Sequence, residues 1–240
     1  MTREHVISAA ALHEAFGEPV RNVLSAEFLG EKILIDHEQC LKDVCDSCNP
    51  KLSPYDAAGS RLVSELVNGN SAHPITVTFT IYTLGWLIKT HLNFIRLIKD
   101  RELNQAYPVR QRIKSCLISG LPIPTSYYAL YAEGWEDNGK FWNAESDKKI
   151  QFINYRSIRF KTQRIVLSNL RVRNLDTILL IPSDEDYKRF EKRVQLVIDE
   201  IYATWGFAFQ KIDIASMLKN KKLVVNKLLT ADEIMKLIRR

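Results

Sequence analysis

Ile150-Gln-Phe-Ile-Asn-Tyr155 and, two residues further on, Ile158-Arg-Phe-Lys-Thr-Gln-Arg-Ile-Val-Leu167 are the runs whose reading decides the fold. Both are rich in β-branched and aromatic residues and alternate apolar with polar positions, the period-2 pattern of half-solvated strands. In the second run Ile158, Phe160 and Thr162 are set against Arg159, Lys161 and Gln163, so one continuous strand sends its cations to one face. Upstream, Asn138-Gly139 predicts a hairpin, because both residues tolerate the positive φ of a type I′ turn. Tyr127 to Tyr131 and Thr177 to Ile181 add further short strands.

Helical patterns flank this centre. Val6, Ala10, Leu12, His13 and Phe16 predict a helix from Glu4 to Phe16 that Gly17 and Pro19 end. Lys32 to Ile35 reads as a short strand. Ser53-Pro54 supplies an N-cap and a first-turn proline, and Leu62, Leu66 and Val67 carry the apolar stripe to Asn68-Gly69. Ile75 to Tyr82 alternates as a strand; Leu84, Leu87, Ile88, Leu92, Ile95 and Ile98 then follow the 3.6-residue period, and Tyr107-Pro108 opens a helix that closes at Gly120. Ser183-Asp-Glu-Asp186 reads as the acidic cap of a long helix ended by Gly206, and Thr230 to Glu233 as the cap of another. Lys211 to Lys222 is a basic stretch that reads as a solvated helix end. The fold class is α+β, a central antiparallel sheet with a basic hairpin, flanked by N-terminal and C-terminal helices. Residues 1–182 form one mixed domain, and 183–240 a helical segment packed on it.

Charge is concentrated in the centre. Lys140 to Arg173 holds nine basic residues and two acids, net +7 in 34 residues, whereas the whole chain carries +6. Everything outside this segment therefore sums to −1. Aromatic residues interleave with the cations, and cations for phosphate with rings for bases make a nucleic-acid surface. The candidate contacts are Lys148, Lys149, Arg156, Arg159, Lys161, Arg164, Arg171 and Arg173, with Tyr155, Trp142 and Phe141 for stacking on RNA or DNA. An acidic protein partner for the same face is the alternative. The 46% apolar content supports a core without disulfide staples. The start lacks a secretory pattern, and the most apolar window, Leu84 to Ile98, is interrupted by Lys89, His91, Asn93 and Arg96. These features predict a cytoplasmic protein without a membrane span.

His37, Cys40, Cys45 and Cys48 form H-x2-C-x4-C-x2-C, and the final Cys-x2-Cys has the spacing that lets two thiolates reach one tetrahedral zinc. Structural zinc on these four, with Cys116 the alternative to His37, is one reading; three reduced cysteines in a loop, with His37 on the surface, is the other. A redox pair at Cys45 and Cys48 is opposed by Asp46 between them. Asp137 with Asp147-Lys148-Lys149 loosely matches the acid and acid-x-Lys spacing of Mg²⁺-dependent nucleases. Gly-rich phosphate loops, G-x-S-x-G and His-Glu-x-x-His do not occur. His91, near the apolar face of its helix, reads as a packed residue and not a base.

The cysteine cluster, the Pro-bounded strand entry Leu121-Pro-Ile-Pro124, the basic central strands and the C-terminal tail with Trp205-Gly206-Phe207 together resemble the small zinc-finger-bearing, large-subunit-like proteins of type IV CRISPR effector complexes. The cysteine spacing departs from the paired knuckles of that family. The resemblance implies a non-catalytic ribonucleoprotein subunit that contacts guide RNA at its 5′ end and helps read a short duplex motif beside the target. It assigns no individual residue.

Overall fold

The computed structural model describes residues 2–5, 11, 24–28, 31–35, 40–68, 74–97, 107–135, 153–172, 174–205, 210–225 and 228–229. The architecture is mixed α+β, with helices on both faces of a central, largely antiparallel sheet. Its strands are β2 (Leu24–Phe28), β3 (Glu31–Ile35), β6 (Ala129–Trp135), β7 (Ile153–Phe160), β8 (Ile165–Val172), β9 (Leu175–Pro182) and β10 (Gln210–Lys211), in the order β10-β6-β9-β8-β7-β2-β3. β7 pairs β2 in parallel, and β12 (Leu228–Leu229) lies parallel to β6. Two small antiparallel pairs join β1 (Thr2–His5) to β4 (Cys40–Val44) and β5 (Ile75–Thr78) to β11 (Lys222–Val225).

The first face is covered by three helices. In α1 (Asn49–Asn68), Leu52, Tyr55, Gly59, Leu62, Val63 and Leu66 form the buried stripe. It packs on α2 (Ile81–Leu97), which is buried on all sides from Thr83 to Ile95 and lies between α1 and the sheet. The two helices meet closely because each offers a glycine to the other's ring. A Cβ at Gly59 would stand 2.2 Å from the Trp86 indole, and one at Gly85 2.4 Å from the Tyr55 ring. Lys89 of α2 reaches Asp56 of α1 at 2.6 Å. α3 (Tyr107–Ser119) ends as its glycine predicts: Gly120 has φ +66°, its N–H donates to Leu117 O and that of Leu121 to Cys116 O, a Schellman closure. On the opposite face α4 (Phe190–Trp205) lays Phe190, Val194, Val197 and Ile201 on Tyr131, Phe160, Ile165, Leu167, Ile178 and Leu180. With both faces covered, β9 is buried along its whole length.

His91 is packed, as its helical position predicts. Its Nδ1 lies 2.8 Å from Ser168 Oγ, and its Nε2 lies 3.1 Å from Thr177 Oγ1. Thr177 gives its own hydrogen to Leu170 O at 3.2 Å, which leaves its oxygen to accept from Nε2, and Ser168 Oγ gives its hydrogen to the Tyr155 hydroxyl at 3.1 Å. Burial pushes His91 down to about 3. An unfolded histidine takes up a proton near its ordinary value while the folded one does not, so acid favours the unfolded chain in between. Stability should fall by about 2 kcal/mol from pH 7 to pH 5 through this residue. Urea midpoints across that range check it. His91→Gln should remove one proton's worth of the slope, and an unchanged slope would refute the assignment.

Several local expectations are corrected. Glu4 and His5 lie in strand β1, paired with Leu41 and Cys40, although Ala11 is helical; cross-strand pairing overrides the local helical period. α1 starts at Asn49, a turn before Ser53, because Asn49-Pro50 provides the same signal earlier and Pro54 is tolerated inside the helix. The strand from Ile75 stops at Thr78: Thr80 Oγ1 accepts from Thr83 N at 3.2 Å and Thr83 Oγ1 from Thr80 N at 3.3 Å, a reciprocal cap that opens α2. The run Ile158–Leu167 is two strands, split by a turn at Lys161–Arg164 in which Arg164 takes φ +52°. α4 starts at Phe190, beyond the expected cap Ser183–Asp186, and Asp184 of that stretch is held instead by Arg193 (3.0 Å) and Arg164 (3.3 Å). The C-terminal segment is not all helix. It supplies β10, β11 and β12 besides α4 and α5 (Ile214–Asn220), because Leu223-Val-Val225 suits a strand. The expected Asn138-Gly139 hairpin and the helix after Thr230 lie outside the described residues.

Candidate nucleic-acid interface

The β7–β8 hairpin places two cations of the basic segment at its turn. Lys161 and Arg164 are both exposed at the tip. The backbone of Arg164 accepts from Ser183 N at 2.8 Å and its guanidinium meets Asp184, so the tip is fixed to the loop that precedes α4. Three residues along, that loop presents Tyr187. Its ring lies 4.9 Å from that of Tyr127, and the Arg112 guanidinium stands 5.7 Å from the Tyr187 centroid. Arg112 also meets Glu185 at 3.1 Å, and its hydrogen bond to Tyr127 is the chief cause that raises it above its ordinary value. Burial raises Tyr187 above the ordinary phenol range, so its ring is neutral. The exposed tip is thus tied, through the loop 183–187, to a guanidinium and a pair of half-buried rings that pack against the core, a set able to meet phosphate.

The other expected contacts are scattered. Arg159 is half-buried, and Arg156 stands in register with Asn169 and Glu27. Arg171 is committed internally: its Nη2 and Nε donate to Asp176 Oδ2 at 2.7 and 3.1 Å, and Asn169 donates to the other carboxylate oxygen at 3.3 Å. Tyr155 is fully buried, one ring face stacked on Phe94 at 4.4 Å and its hydroxyl 3.1 Å from Ser168 Oγ, so it has no surface for a base. Lys148, Lys149, Arg173, Trp142 and Phe141 lie outside the described residues, as do Asp137 and Asp147.

No family model, no curated protein and no solved structure matches this chain. Among the described residues no helix is long and apolar enough to cross a membrane.

The four expected zinc ligands are only partly placed. His37 lies outside the described residues, and Cys40 is described only as part of the β4 backbone. Cys45 and Cys48 are joined by a disulfide, which occupies both sulfurs. Among the described residues no group of three or more His, Cys, Asp or Glu side chains is arranged to hold a metal.

Sequence reasoning missed the Arg112, Tyr127 and Tyr187 group, since nothing local links three positions so far apart. The Arg171–Asp176 pair had a signal. Val172 and Leu175 close a two-residue loop, so the next positions out, Arg171 and Asp176, must face each other with opposite charge.

Proposed function

We propose that this chain is a non-catalytic, nucleic-acid-binding subunit of a ribonucleoprotein. The observation that carries the reading is the concentration of net +7 between Lys140 and Arg173 in a chain of net +6. Exposure of Lys161 and Arg164 at a fixed hairpin tip beside Arg112 and the tyrosine pair supports it. Such a surface binds through phosphate, with rings adding contacts to unstacked bases. Resemblance to the type IV CRISPR subunits supports guide RNA and target-adjacent duplex DNA as the nucleic acids, and other protein subunits as neighbours.

The test is fluorescence anisotropy with matched single- and double-stranded RNA and DNA, titrated across salt. Affinity should fall linearly on a log–log plot as counterions return. Lys148→Glu, Lys149→Glu and Lys161→Glu together should flatten that slope by about 3 and weaken binding to every sequence alike. Unchanged affinity in the triple variant would sink the reading.

A further inference from the structure

We propose that Cys45 and Cys48 form a redox-active dithiol–disulfide pair that exchanges with a thiol co-reactant. The two are already joined, with Cα atoms 5.1 Å apart. A bridge across two intervening residues closes so short a loop that it constrains the unfolded chain little, so a structural staple does not account for it. Its position fits exchange. Cys45 O accepts from Cys48 N at 2.9 Å and from Asn49 N at 3.0 Å, so Cys45 opens the turn that leads into the 20-residue α1 at Asn49. Cys45 is exposed, whereas Cys48 is half-buried and packs against the core. Access therefore differs between the sulfurs: Cys45 is the one an incoming group reaches, and Cys48 is the one held behind it.

The electrons balance with two equivalents of thiol. An attacking thiolate bonds to the Cys45 sulfur and the Cys45–Cys48 bond breaks, releasing Cys48 as thiolate. A second thiolate then attacks the co-reactant's sulfur in the mixed disulfide and releases Cys45. The pair gains two electrons and two protons, and the co-reactant leaves as its disulfide. Ser47 Oγ, 3.2 Å from the Cys45 sulfur, can donate to the thiolate formed there. Asp46 opposes this charge, but its exposure to solvent leaves the repulsion screened. The pair needs nothing from the nucleic-acid reading and stands or falls separately.

The full-length chain is equilibrated with mixtures of reduced and oxidised dithiothreitol, trapped by alkylation and read by peptide mass spectrometry, with zinc measured on the same samples. Cys45 and Cys48 should change state together, as one two-electron couple, without loss of the folded circular-dichroism spectrum. With oxidised glutathione, Cys48→Ser should capture glutathione on Cys45 about tenfold faster than Cys45→Ser captures it on Cys48. The inference is overturned by a pair that no mixture oxidises, by one that folded protein never reduces, or by equal capture rates. It is equally overturned by one equivalent of zinc that keeps both thiols reduced in oxidising mixtures, which would make the cluster a metal knuckle.

Discussion

Arg171→Met is expected to lower the free energy of unfolding at neutral pH by about 4 kcal/mol, the usual cost of removing one member of a buried ion pair. Asp176 is 3% exposed, and register sets it opposite Glu133, itself 1% exposed, on the adjacent strand β6. Arg171 gives Asp176 two charge-assisted bonds, so its loss leaves a buried carboxylate facing another. Arg171→Met with Asp176→Leu should recover most of the loss, because an apolar pair of similar volume avoids the desolvation cost altogether. Urea denaturation of the single and double variants measures both effects. A single variant within 1 kcal/mol of the parent would show that the pair is not the anchor its burial implies. The result also bears on function, since a cation spent on folding is not available to phosphate.

Gly59→Ala combined with Gly85→Ala should cost on the order of 4 kcal/mol, against the ordinary rule that alanine favours a helix over glycine by about 1 kcal/mol per site. At both positions the added carbon falls well inside contact distance of a ring that is itself buried, Trp86 or Tyr55. Neither ring can swing into solvent, so α1 and α2 must move apart and loosen the contacts of both helices with the core. Thermal unfolding should show the double variant roughly 10 °C below the parent. A rise in stability would mean that the helices separate without penalty.

Legibility of the chain followed the range of the interactions that set each element. α2 and α3 were readable because a continuous apolar stripe and a glycine stop are local features. The turn at Lys161–Arg164 was not, since Arg164 takes a positive φ without the Gly or Asn that announces one and strand-like residues continue on both sides. Thr80 looked like one more polar step of an alternating strand until its hydroxyl was seen to cap α2. The candidate site divides in the same way. Lys161 and Arg164 were legible as phosphate contacts from their charge, though not their place at a turn, whereas the fate of Tyr155 depended on Phe94 from a distant helix. Tyr187 had no signal, because its partner rings and charges come from α3 and from the short 3-10 turn Thr125–Tyr127.

Pairing between β5 and β11 joins Ile75 to Val225, and pairing between β2 and β7 joins Leu24 to Ile153. During synthesis β5 waits for β11, and β2, although β3 pairs with it at once, keeps its other edge bare until β7 is made. Closing such loops delays folding, and in the interval each edge is open to a neighbouring nascent chain. Until Val225 has left the ribosome, Ile75 and Val77, later buried, have no strand to shelter them. A chaperone that holds the early strands apart during this interval would raise the yield of folded protein more than any change that merely strengthens the finished core.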